Sequence, residues 1–238
     1  MLPRILTSAV FAGAVAGLIA GLLQLVFVQP VLLHAELYES GELVHFATSV
    51  MVDGAAHDHA SHDHVTPATL MRNGLTVVFS MLLYSGYALI LLSVMSQAEA
   101  RGASITPRTG LIWGAAGFVA IFLAPAFSLA PEVPGVASID IAQRQVWWLG
   151  TVVSTAIALW LIAFHRGWMF WGIAVALLLA PHLIGAPQAE EFAGPVPTEL
   201  ASLFTSRALG TSMASWTILG CLAGFMWARG SDPHRTAV

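Results

Sequence analysis

Hydrophobic residues run in six long blocks, at 6–29, 74–95, 110–129, 146–164, 168–185 and 203–228, separated by stretches holding most of the proline, arginine, histidine and acidic residues. Roughly 20 mainly apolar residues carry a helix across a bilayer. The pattern therefore predicts an all-α polytopic membrane protein, with about six transmembrane helices in a single integral membrane domain covering 1–238. The first block runs well past the roughly 7 to 15 apolar residues of a signal-peptide core, so it is read as a retained span. The stretch 34–69 between the first two blocks is expected to form an external loop.

A second pattern lies over the first. Each odd block ends near a proline, at Pro30, Pro125 and Pro181, and each proline is followed by an acid (Glu36, Glu132, Glu190) and then an arginine (Arg72, Arg144, Arg207). This order predicts three repeated helical hairpins with prolines at matching depth, since proline breaks the helical ladder and is tolerated near span ends. Gly13, Gly17 and Gly21 in the first block give two overlapping four-residue glycine spacings, which let helix backbones approach closely.

Composition fits a chain solvated mainly by lipid: 57% of residues are hydrophobic and 9% charged. Lysine is absent, which excludes a P-loop nucleotide site with its phosphate-binding lysine. The net charge of −4 lacks the clustered basic face of a nucleic-acid binder. Cys221 is the single cysteine, so no intrachain disulfide or thiol cluster is available. With the amino terminus inside, Arg4, Arg101, Arg108, Arg166, Arg229 and Arg235 are cytoplasmic and Arg72, Arg144 and Arg207 external. That bias satisfies the positive-inside rule and predicts both termini on the cytoplasmic side.

The polar chemistry gathers between the first two blocks. His57, Asp58, His59, His62, Asp63 and His64 place four imidazoles and two carboxylates within eight residues. Neutral imidazole and carboxylate ligands suit borderline divalent ions such as Co²⁺, Ni²⁺ and Zn²⁺. Asp53-Gly54-Ala55-Ala56 and Pro67 bracket the tract with flexible and breaking residues, so a wrapping loop with fast exchange is expected. His34 and Glu36 just past Pro30, His45 in the same loop, and His182 beside Pro181 are candidate second contacts for the ion. His34 would meet Tyr38 across one helical turn if the helix continues.

No Asp, Glu or Arg lies near the middle of any block, although ion-driven pumps and proton relays usually carry one. The polar residues there are neutral: Gln24, Ser80, Tyr84, Ser85, Tyr87, Thr151, Ser154, Thr155, Ser212, Ser215, Thr217 and Cys221. They are read first as packing and hydrogen-bonding groups between helices, and second as the lining of a path.

Several stretches together resemble the CbtA family of predicted cobalt transporter subunits. They are the glycine-rich first span leading to Gln29-Pro30 and Ala35-Glu36-Leu37-Tyr38-Glu39, the His/Asp loop, Gln143-Arg144-Gln145-Val146-Trp147-Trp148, and Ala180-Pro181-His182-Leu183-Ile184-Gly185-Ala186-Pro187. The resemblance implies cobalt uptake across a bacterial inner membrane, linked to cobalamin synthesis. It also implies a small single-span companion of the CbtB type. Residues and resemblance together point to a divalent-metal uptake subunit with cobalt as substrate, no catalytic residues, no bound cofactor and no nucleotide or nucleic-acid partner. A membrane accessory that binds metal for a partner without transporting it is the alternative. An enzyme is not expected, because a catalytic metal site wants ligands fixed on packed elements with a positioned acid or base.

Overall fold

The computed structural model describes residues 2–44, 66–136, 140–189 and 193–230. Helices dominate it, and each begins or bends where local chemistry dictates. A first long helical segment consists of α1 (Leu2–Leu23), a π-helical turn (Gln24–Val28) and α2 (Gln29–Glu39). Helix α3 (Pro67–Glu99) starts behind Thr66, whose side chain accepts a bond from the Thr69 amide, with Pro67 as the first helical residue. Helix α4 (Pro107–Phe118) starts in the same way, with Thr106 and Thr109 capping each other reciprocally. It passes through a second π-helical turn (Val119–Leu123) into the short α5 (Ala124–Ser128). Helix α6 (Ile141–Phe164) is capped by Asp140, which accepts from the Gln143 amide. Then come α7 (Trp168–Ile184) and α8 (Thr198–Gly230).

Five of these helical segments are long and apolar enough to cross a membrane: Leu2–Glu39, Pro67–Glu99, Pro107–Ser128, Ile141–Phe164 and Thr198–Gly230. Helix α7 has 17 residues, about 25 Å at 1.5 Å per residue, the lower limit for a span. Contacts decide its role. Arg4 at the start of α1 stacks its guanidinium 4.0 Å from the Trp227 ring and donates to the Trp227 carbonyl near the end of α8. Arg207 near the start of α8 donates to the Phe27 carbonyl at 3.1 Å. Helices α1 and α8 are thus antiparallel neighbours, with the beginning of the one beside the end of the other, and such an arrangement needs an even number of crossings. Helix α7 supplies the sixth: His182 at its end bonds Ser128 at the end of α5, while Trp168 at its start follows directly on α6. The expected six-helix membrane architecture is therefore present.

Two ends of the molecule follow from this alternation. The proline end carries Pro30, Pro125 and Pro181 with the start of α8; the terminal end carries Arg4, Arg101 and Arg229. Arg101 stacks 5.2 Å from the Trp160 ring there.

Packing is strongest within α1, α3, α4 and α8. Gly13 and Gly17 of α1 lie so close to the Ser85 and Met81 backbone of α3 that an added methyl group would overlap it. Gly110 and Gly114 of α4 meet Gly220 and Gly224 of α8 in the same way, the close approach that small residues permit in lipid. Leu92, Met95, Leu219 and Trp227 fill the core toward the terminal end, all essentially inaccessible. Helix α7 packs on α6, where Ala174 is buried.

Two expectations need adjustment. Helix α2 carries the chain on to Glu39 and α3 begins at Pro67, so the segment between the first two spans is shorter than the expected 34–69. Proline is compatible with the first turn of a helix, and Pro30 sits there in α2. Of the three expected hairpins, α1 and α3 pack closely, but α8 packs on α4 and α1, and α7 on α6. What recurs is a smaller unit: a five-residue π-turn followed directly by a residue and a proline, at Gln24–Val28 with Pro30 and again at Val119–Leu123 with Pro125.

Candidate functional site

His57, Asp58, His59, His62, Asp63, His64 and His45 lie outside the described residues. The elements on either side of that segment, the end of α2 at Glu39 and the start of α3 at Pro67, both stand at the proline end. His34 and Glu36 project from α2 and are exposed. The helix does continue through them: the His34 and Tyr38 rings stack with centroids 5.7 Å apart. The opposite face of α2 buries Ala35 in a small cluster with Val133 and Val196, joined by Leu200 and Phe204. This cluster ties α2 to the segments that follow α5 and precede α8, and Thr205 of α8 donates to the Pro131 carbonyl at 2.8 Å beside it.

His182 occupies different surroundings. Its Nδ1 lies 2.8 Å from Ser128 Oγ, and the rings of Phe127 and Trp147 meet it edge-on at 5.1 and 6.1 Å. Trp147 Nε1 donates to the Pro181 carbonyl at 3.2 Å, which fixes α6 to the end of α7. Among the described residues no three His, Cys, Asp or Glu side chains come together as a metal site. His34, Glu36 and His182 therefore do not form one ligand set with one another.

Within the membrane the neutral polar residues separate into groups. Gln24, Ser80, Tyr84, Ser212 and Ser215, together with Arg72, Thr76 and Thr211, form the polar part of a mostly apolar cavity of about 760 Å³ between the first helical segment, α3 and α8, with Leu75, Phe79, Leu83 and Phe122 among its other walls. Ser80 donates back to the Thr76 carbonyl, Thr211 to Arg207 and Ser215 to Thr211, at 2.7 to 2.8 Å. With their protons engaged along their own helices, these hydroxyls offer oxygen lone pairs to the cavity. At its mouth the Gln29 amide lies 3.0 Å from Asn73 and, with the amide turned, 3.0 Å from the Arg72 guanidinium. Thr151 and Thr155 are buried instead in α6. Thr76 and Thr211 escaped the sequence reading although each stands four residues before a polar residue it did select, Ser80 and Ser215; extending that helical period was the available signal.

A sequence model described as probable cobalt transporter subunit (CbtA) matches residues 2–228. The chain belongs to the CbtA family. Neither a curated protein nor a solved structure matches it. Membership covers all six spans, so the helix arrangement above is that of a CbtA chain: a multi-pass membrane protein from a family of transporter subunits, for which cobalt is the suggested substrate. A subunit works with a partner. In this CbtA chain the cavity with its group of hydroxyls gives way toward the terminal end to the close-packed Leu92, Met95 and Leu219.

Proposed function

We propose that this chain is the membrane subunit of a Co²⁺ uptake transporter and that it captures the ion at the proline end, on the extracytoplasmic side of a bacterial inner membrane. His57, His59, His62 and His64 with Asp58 and Asp63 form the capturing segment, and His34, Glu36, His45 and His182 are secondary contacts. The role is non-enzymatic. Family membership over residues 2–228 carries this reading. The charge distribution supports the orientation: Arg4, Arg101, Arg108, Arg166 and Arg229 belong to the terminal end, which is read as cytoplasmic. The companion is a small single-span subunit of the CbtB type.

Capture needs neutral imidazoles, so it weakens as pH falls through about 6.5, where free histidine gains its proton. Cobalt uptake into cells carrying this chain and its companion, measured with radioactive Co²⁺, tests the assignment. Replacement of the four tract histidines by alanine is expected to abolish uptake at low metal concentration; unchanged uptake removes the tract from the mechanism. Ni²⁺ and Zn²⁺ are expected to compete, since affinity at such sites does not favour cobalt over nickel.

The alternative, a metal-binding accessory that hands its ion to a partner, is favoured by two observations: the spans hold no charged residue at mid-depth, and the cavity between α1, α3 and α8 stops above packed Leu92 and Met95.

A further inference from the structure

Among the described residues two π-turns interrupt the helices, each just ahead of a proline, and they differ in what lies beyond them. Around Gln24–Val28, α8 packs on α1 before the turn, on the turn itself and on α2 after it, so one neighbour splints both sides. Around Val119–Leu123 the neighbour changes. Helix α8 holds α4 before the turn by backbone contact at Gly110 and Gly114, whereas α5 after the turn lies against α6.

Helices α6 and α7 form one packed unit. Thr151, Thr155 and Ala158 recur along α6 at helical spacing and are essentially inaccessible, with Thr151 beside Ala180 and Pro181 of α7, and Ala174 is buried midway along α7. Among the described residues, every hydrogen bond from this pair to the rest of the molecule lies toward the proline end. Trp148 Nε1 donates to the Ile121 carbonyl at 3.2 Å, Arg144 to Glu132 at 2.6 Å, and His182 bonds Ser128 at 2.8 Å. All three partners belong to the π-turn and the stretch that follows it. Thr205 of α8 bonds the Pro131 carbonyl in that stretch, which fixes the suspension at the proline end. At the opposite tip, near the turn 165–167, the pair meets the rest through rings: Trp113 lies 6.5 Å from Trp160 and 6.1 Å from Phe164, and Arg101 5.2 Å from Trp160. Such contacts part without stranding a hydrogen-bond donor, unlike those at the proline end.

Between the two ends the bodies stand apart. A cavity of about 470 Å³ separates Val152 and Ala156 of α6 from Val94 of α3 and Ile112 and Ala116 of α4. A methyl group added at Gly13, Gly17, Gly110 or Gly114 would overlap the backbone of a neighbouring helix, but at Gly150 of α6 or Gly172 of α7 it would meet nothing within 4 Å. Helices interlocked at such close range move together, whereas a pair hung from one end can pivot.

We propose that α6 and α7 swing as one hairpin about the π-turn Val119–Leu123 and Pro125, held at the proline end and parting from α3 and α4 at the tip beside Trp113. A π-turn and a proline are the places where a helix bends, and here both stand where the hairpin is hung. The arrangement described above is the closed one; the open one widens the cavity toward the terminal end. Rocking of one helix group against another is the motion of alternating access. As the moving part of an uptake cycle the swing rests on the reading of this chain as a transporter subunit, while the motion itself does not.

The test uses the full chain in lipid nanodiscs, with Cys221 replaced by alanine and spin labels on pairs of introduced cysteines at exposed positions: Arg108→Cys with Arg166→Cys across the tip, Leu70→Cys with Ile184→Cys across the proline end, and Leu2→Cys with Arg108→Cys within the close-packed helices. Two distance populations are expected for the tip pair and one for each of the others. Trp160→Ala and, at the surface, Arg101→Gln remove ring contacts and are expected to enlarge the longer-distance population, while Trp171→Ala on the exposed side of α7 leaves it unchanged. One narrow tip distance in every variant, or a proline-end pair that spreads as much as the tip pair, would overturn the proposal. Bridging Trp113→Cys to Trp160→Cys with a short bis-maleimide is expected to abolish the Co²⁺ accumulation that the unbridged variant shows in vesicles holding the companion; accumulation unaffected by the bridge removes the swing from transport. No accumulation in unbridged or unmodified chain sinks the cobalt reading, and the distances still decide the swing.

Discussion

Helices α1 and α4 reach the proline end by the same backbone device, offset by 95 residues between Gln24 and Val119 and between Pro30 and Pro125. In each, proline removes one amide donor and crowds the carbonyl four residues earlier, and the widened π-turn just before it relieves the crowding. The two units differ in what satisfies the disturbed backbone. In α4 the carbonyl four residues before Pro125 is that of Ile121, and it accepts from the Trp148 indole at 3.2 Å. In α1 a neighbouring carbonyl, that of Phe27, accepts from the Arg207 guanidinium at 3.1 Å, close to the polar mouth with Gln29, Asn73 and Arg72. One device thus serves two ends: in α4 it anchors α6 through an indole hydrogen bond, and in α1 it opens a polar rim above the cavity with its group of hydroxyls. Pro181 in α7 has no π-turn before it, so its effect is confined to the last turn, where Gly185 ends the helix with a positive φ of 91°.

The comparison extends to packing, where substitutions separate the two units. Gly220→Leu drives a side chain into the Gly110 and Gly114 backbone of α4 and is expected to cost about 1–3 kcal/mol or more, as overpacking does; thermal unfolding in detergent measures it. Trp148→Phe leaves the Ile121 carbonyl without its donor in an apolar setting, for a loss of about 1 kcal/mol. Arg207→Ala is expected to cost about 0.5 kcal/mol, because water at the exposed rim replaces the guanidinium. A larger loss for Arg207→Ala than for Trp148→Phe would reverse the distinction drawn between the two π-turns. Gly86→Ala, inside α3, meets open space and is expected to raise stability by up to about 1 kcal/mol, opposite in sign to the other three.

Much of the membrane architecture was legible because lipid imposes a simple rule: apolar blocks of span length become helices. Both termini were expected at one end from the arginine distribution, and the contact of Arg4 with Trp227 agrees. Helix partners were not legible in the same way. Glycine spacing marked α1 as a close packer, yet nothing in it distinguished Ser85 from any other backbone, and the matching pairs Gly110/Gly114 and Gly220/Gly224 were 110 residues apart in sequence. The π-turns left no composition of their own; only the prolines announced a disturbance. For the site, the tract from His57 to His64 is a purely local signal, whereas the cavity from Gln24 to Ser215 is assembled by three helices and could be read only in part, through the i, i+4 recurrence of its hydroxyls.

Metal flux into proteoliposomes tests the central claim most directly: that this CbtA-family chain, with its partner, moves cobalt across a membrane. Vesicles holding the purified chain together with its companion are expected to accumulate Co²⁺ faster than protein-free vesicles, and to lose that excess when the four tract histidines are alanine. Accumulation no faster than in protein-free vesicles, with both subunits correctly inserted, would contradict the account.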